Sequence, residues 1–150
     1  MSWATLEAGA PELAAAGRRL LYRDPIGQGL LATVLGNEPP RIHPVYVAID
    51  SGRLLTFINP SSKMADIERD GRYALHAHVD PLAPSEFMVR GRAVAIDGEL
   101  RRQIAAGWYF TTDERYRLFE LTVESALLGC RDDPDAWPPI YQRWTAATDE

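Results

Sequence analysis

Residues 41–70, RIHPVYVAIDSGRLLTFINPSSKMADIERD, restrict the fold more than any other stretch, because they read as a β-hairpin that empties into a helix. Val45, Val47 and Ile49 alternate with Tyr46 and Ala48, the period-2 pattern of a half-buried strand. Asp50-Ser51-Gly52 supplies turn chemistry, and residues 54–58 form a second apolar run. Pro60-Ser61-Ser62 stops that run, and the hydroxyl of Ser61 or Ser62 caps a helix that continues through residue 67.

Lys63 stands in the first turn of that helix, where the peptide dipoles already present positive charge. A cation there costs a few tenths of a kcal/mol up to about 1 kcal/mol. Unpaired N–H groups, serine hydroxyls and an ammonium group converge on one point, which suits an anion and a phosphate in particular. Arg41, at the start of the first hairpin strand, reaches the same point if the hairpin curls over it. A plain helix start with a solvated lysine uses the same residues and needs no ligand. The placement of Lys63 against the dipole favours the anion.

The rest of the chain supplies further short strands. Residues 2–23 read as one helix, with Pro11 in a first turn and Leu13, Ala16, Leu20 and Leu21 on one face, packed across an open barrel end. Residues 24–28 read as a loop, and strands are expected at 29–35, 73–79, 86–96 and 118–128. Gly91 marks a bulge or bend in the long strand. A helix is expected over 99–107 and a turn over 113–117. Glu120 and Glu124 read as the exposed face of an edge or interface strand and not as a catalytic pair. Tyr141 and Trp144, spaced i and i+3, suggest a helical turn in an aromatic C-terminal lap over 129–150.

The 150 residues make one domain, with 1–28 as an N-terminal helical segment and 29–128 as the barrel. A net charge of -5 argues against general nucleic-acid or anionic-membrane binding. No apolar run approaches the about 20 residues of a membrane span, and no secretion signal is expected. Cys130 is the only cysteine, so no internal disulfide forms and a cytoplasmic location is expected. His43, His76 and His78 invite a zinc or haem reading, but they lack a second ligand cluster, so no metal is expected and polar interface or surface roles are preferred.

The order of strand, Pro40-Arg41-Ile42-His43-Pro44-Val45, Gly52-Arg53-Leu54, Ser61-Ser62-Lys63 and Asp70-Gly71-Arg72-Tyr73-Ala74-Leu75 resembles the pyridoxamine 5'-phosphate oxidase-like family of FMN-binding split barrels. The resemblance covers residues 29–96. It implies a mainly β protein: a six-stranded antiparallel split β-barrel with peripheral helices. It also implies a homodimer that holds FMN in the groove between two barrels and acts as a flavin-dependent oxidoreductase on a small molecule. The implied cofactor-binding residues are Arg41, Tyr46, Phe57, Ile58, Asn59, Ser61, Ser62 and Lys63, with the stretch from Thr56 to Asn59 running along the isoalloxazine.

Two cationic contacts of the best-known members are missing. They have Ser-Arg-Lys where this chain has Ser61-Ser62-Lys63, and a lysine where this chain has Tyr46. Each such contact is worth roughly 1.5–3 kcal/mol. The chain also lacks the Arg-Leu-x-Pro ending of the vitamin B6 oxidase, since Arg143 precedes Trp144 and Thr145. The alternatives are a reductase of the same fold that uses the deazaflavin F420, and a binding protein that holds flavin or haem without turnover. No residue stands out as a catalytic acid or base. Trp108, Tyr109, Tyr141 and Trp144 are candidates for covering the flavin or its substrate, or for packing onto the barrel.

Overall fold

The computed structural model describes residues 1–23 and 25–148. Asp24, expected in a loop, and the last two residues of the C-terminal lap lie outside the described residues. Among the described residues nine strands form one sheet, and six of them close into a ring. β2 (Ile26–Thr33) pairs with β3 (Arg41–Asp50), β3 with β4 (Arg53–Ile58), and β4 with β7 (Arg117–Leu121). β7 pairs with β6 (Glu86–Ile96), β6 with β5 (Arg72–His76), and β5 returns to β2. Every pairing is antiparallel. Closure removes the free edges that an open sheet of this size would expose. This is the six-stranded antiparallel barrel that the sequence implied.

β6 is the spine of the ring. Its C-terminal half pairs with β7, and its N-terminal half pairs with β8 (Ser125–Cys130). The expected strand over 118–128 is therefore two strands joined by a jog at 122–124. Thr122 bridges the jog: its hydroxyl donates to Arg92 O at 2.9 Å and accepts from Arg92 N at 3.2 Å. Gly91 lies opposite, and a Cβ there would overlap the Thr122 carbonyl. The bend expected at Gly91 is thus a close approach of two backbones.

The N-terminal helix is also two elements, α1 (Trp3–Gly9) and α2 (Pro11–Leu21). Pro11 has no N–H and sits at the first position of α2, so the break at Ala10 follows from its chemistry. β1 (Tyr22–Arg23) takes the last two residues of the expected helix, and β2 begins inside the expected loop, three residues earlier than the expected strand. The expected strand over 73–79 ends at His76. The expected helical turn at Tyr141 and Trp144 is instead β9 (Ile140–Thr145), which pairs along β8. Tyr141 and Trp144 then fall on opposite faces. Trp144 packs on the main core over Gly9, where a Cβ would meet its ring.

The main core fills the ring and continues under α1 and α2. Trp3 meets Phe87 edge-on with centroids 6.1 Å apart, and Gly17 lets α2 approach the same Phe87 ring. α1 sits at the β3–β4 turn, where Ala4 N donates to Gly52 O at 2.9 Å. A second, smaller core lies outside the ring. Leu55, Phe57 and Leu118 on β4 and β7 are covered there by Ile104 of α4 (Gly98–Ala106). α3 (Ser62–Arg69) sits where β4 ends and β3 begins, at the other end of the hairpin from α1. Glu120 differs from expectation. It is buried rather than exposed, because β7 is no edge strand but is flanked by β4 and β6, and its carboxylate pairs with Arg53 on the neighbouring β4.

Candidate functional site

The corner at the start of α3 is built by local chemistry. Pro60 ends β4, and Ser61 takes an extended backbone as the helix cap. Ser61 Oγ accepts from Met64 N at 3.4 Å and donates to Asn59 O at 2.9 Å. No acidic residue occupies the first turn. Lys63 does, and its Nζ donates to Asn59 Oδ1 at 3.4 Å. Partial burial holds the Lys63 ammonium below the usual lysine range. Ser62, the first helical residue, is exposed beside it.

Arg41 reaches this corner because β3 begins there. Its Nε donates to Asp66 Oδ2 at 3.1 Å, and Thr33 Oγ1 on β2 donates to the same oxygen at 2.9 Å. Asp66 is only 3% exposed, so this carboxylate joins α3, β2 and β3 from inside. Arg41 gives Asp66 its Nε alone, which leaves its terminal nitrogens without a bond among the described residues. His43, two residues along β3, faces the same end. Its Nε2 is shielded from solvent and has no hydrogen-bond partner among the described residues. Burial lowers its pKa first, then the charges of Lys63 and Arg41, with Asp66 opposing them. From the sequence, His43 reads as an interface or surface histidine, with zinc or haem as the alternative. Its place two residues from Arg41, on the same strand face, was the available signal.

The remaining implied residues lie along β3 and β4. Tyr46 is 44% exposed, with its ring 5.6 Å from Tyr109 and 5.7 Å from Phe110. Phe57 is buried under α4, edge-on to Trp108 at 5.1 Å, with the Arg101 guanidinium over its other side at 5.4 Å. Ile58 points into the ring and belongs to the main core. Asn59 is exposed and turned to Lys63. The fold thus gathers Arg41, Asn59, Ser61, Ser62 and Lys63 at one corner. It sets Tyr46 and Phe57 against the aromatic loop after α4, and it puts Ile58 elsewhere.

That aromatic loop lines a cavity of about 560 Å³ with Arg101 and Arg102. Trp108 Nε1 and Thr112 Oγ1, both in its lining, are shielded and have no partner among the described residues. Tyr109 is a strut. Its hydroxyl donates to Val47 O at 2.7 Å and accepts from Gly27 N at 3.0 Å, joining two paired positions of the β2–β3 ladder. Burial pushes its phenol up to about 12. His76 lies on β5, on the outer face of the ring, away from His43. Among the described residues, no three His, Cys, Asp or Glu side chains gather as metal ligands. No described helix is long and apolar enough to cross a membrane.

No family model matches the sequence, and no curated protein does so. Solved structures do match. A haem-binding protein from Mycobacterium smegmatis superposes with a TM-score of 0.63 at 16% identity, over 87% of this chain and 57% of that one. This chain therefore spans little more than half of that protein's length. An FAD-binding protein from Mesorhizobium loti has a TM-score of 0.58 at 17% identity, over 78% of this chain and 91% of that one. A putative pyridoxamine 5'-phosphate oxidase from Listeria innocua has a TM-score of 0.56 at 16% identity, over 73% and 91%. At such identities the likeness carries the fold and not the chemistry. The chain has the split β-barrel fold shared by these oxidase-like, flavin-binding and haem-binding proteins.

Proposed function

We propose that this chain binds FMN as a homodimer and works as a flavin-dependent oxidoreductase on a small molecule. The observation that carries the reading is the cationic corner: Arg41, Lys63 and the capped first turn of α3 meet at the end of the hairpin. The residues fit a phosphate. The unpartnered, shielded Nε2 of His43 lies among those cations, as expected where an anion belongs. Arg41 supplies its terminal nitrogens, Lys63 an ammonium, and Ser61 and Ser62 their first-turn groups.

Tyr46, Asn59 and the β4 backbone beside Phe57 would run along the ring system. The flavin, when bound, supplies hydride or electron transfer. The protein's task is to anchor, orient and exclude water. The cavity beside Trp108 and Thr112 offers a substrate one donor-only indole N–H and one hydroxyl, on a wall of aromatic rings. Tyr109 is not offered as an acid, because its hydroxyl is committed to the ladder.

The second copy is supported by an uncovered sheet face. Ile42 is 66% exposed, and Pro44 and Tyr46 are exposed on the same face of β3. Leu30 and Ala32 lie beside them on β2, half-buried. A partner of this same chain would cover that face and bring its own corner to the groove. A reductase using F420 is the second reading. Its support is that Asp66 already takes part of the Arg41 charge, while Ser62 and Tyr46 add none. The single cysteine suits a reducing cytoplasm.

An absorbance spectrum of the purified protein, before and after FMN and dialysis, tests the cofactor. A retained visible flavin band supports the reading. No retention of FMN, with saturable binding of F420, moves it to the second. Light scattering should give about twice 16.7 kDa. A monomer at micromolar concentration would remove the shared groove.

A further inference from the structure

We infer that His43 is a proton-accepting member of the anion corner, its Nε2 donating to the phosphate group that Arg41 and Lys63 hold. The inference deepens the phosphate-anchor reading above and rests on it. Three observations carry it. First, Nε2 is shielded from solvent and has no partner among the described residues, and leaving such a group unmatched is unfavourable. Second, the groups that face His43 are Arg41 on its own strand and Lys63 and Asp66 on α3. Opposite it on β2 stands Leu31, which carries no charge.

Third, the charges do not balance without it. Two cations and one carboxylate leave the corner with a single positive charge. A phosphate monoester brings about -1.5 to -2. One more proton in the corner restores neutrality, and His43 is the group there whose ordinary pKa lies near neutral pH. In the free protein the burial of His43 and the two cations push its pKa down, against Asp66. An arriving phosphate reverses that balance. The proton comes from solvent, and no covalent bond forms or breaks.

NMR titration of the three histidine rings, with inorganic phosphate and separately with FMN, tests this, with His43→Gln to assign the signal. His43 should titrate below 6.5 in the free protein and rise by about one unit or more with either ligand. Calorimetry in two buffers of different ionisation heat should show proton uptake by the wild type on FMN binding and less by His43→Gln. The variant should lose about tenfold in FMN affinity and little in riboflavin affinity. Inorganic phosphate raising His43 in a protein that ignores FMN would keep this inference and end the flavin reading. FMN binding with His43 unmoved would end this inference and keep the flavin. No response to either ligand would end both.

Discussion

Tyr109→Phe removes a single oxygen from a place where the ladder depends on it. Gly27 and Val47 are paired across β2 and β3, yet the Gly27 N–H donates to the Tyr109 hydroxyl, which in turn donates to Val47 O. The phenol is a bridge inside the sheet. Gly27 has to be glycine to leave room for it, since a Cβ would overlap the Val47 carbonyl. Without the oxygen, one N–H and one C=O lose their partners. Each unmatched buried group costs about 1–3 kcal/mol. A water or a small closure of the ladder recovers part of this, so the net loss should be about 2 kcal/mol. With a urea slope of about 1–3 kcal/mol per molar, the unfolding midpoint should fall by about 1 M.

The same variant has a signature in pH. The folded phenol is pushed up to about 12, above the ordinary 10.0 that the unfolded chain regains. Above about pH 10 the unfolded state therefore gives up a proton that the folded state keeps. Stability is lost as pH rises from there towards 12. Tyr109→Phe should lack this share of the alkaline decline. Urea melts of both proteins at pH 7 and across the alkaline range measure both effects. A midpoint within about 0.2 M of wild type, with an unchanged alkaline decline, would refute the bridge.

Other perturbations probe the remaining joints. Gly91→Ala should cost more than about 3 kcal/mol, because the new methyl meets a carbonyl held by the jog and not a flexible side chain; soluble yield and urea midpoint report it. Asp66→Asn should lower Tm by about 3–6 °C, from a pair worth about 1–2 kcal/mol once the 46% exposure of the Arg41 side chain is discounted. Thr33→Val together with Asp66→Asn should cost less than the two separately, since they share one oxygen; calorimetric melts of the three variants decide this. For the free protein, the lowered His43 pKa means that the unfolded chain takes up a proton first as pH falls below 6.5. Stability should therefore decline with acid in that window, and His43→Gln should remove that part of the decline in pH-dependent melts.

The barrel was legible because its strands carry their own signals. Val45, Val47 and Ile49 alternate, residues 54–58 are apolar, and α3 is capped by Ser61, one of the two serines the sequence offers. Breaks within a continuous pattern were not legible. The apolar alternation runs on from Phe119 through Val123, so the change of partner at Thr122 left no mark in periodicity. Tyr141 and Trp144 fit a helical turn or two faces of a strand equally well, and only the free edge of β8 decides between them.

The corner divides in the same way. Its cap and Lys63 are neighbours in sequence and could be read there. The Asp66 carboxylate joins residues 25 and 33 positions away, and nothing beside it marks an aspartate for burial. Glu120 and Arg53 repeat the case at 67 positions. Tyr109 reaches Gly27 over 82 positions, so its role as a bridge belongs to the folded chain alone.

The most direct test of the central claim compares FMN with riboflavin on Lys63→Glu, followed by quenching of flavin fluorescence. The two ligands differ only in the phosphate. Reversing the charge at the head of α3 should weaken FMN by about tenfold or more, the worth of one charge-assisted contact, and leave riboflavin within about twofold. An equal loss for both ligands would mean that the phosphate is not held at this corner.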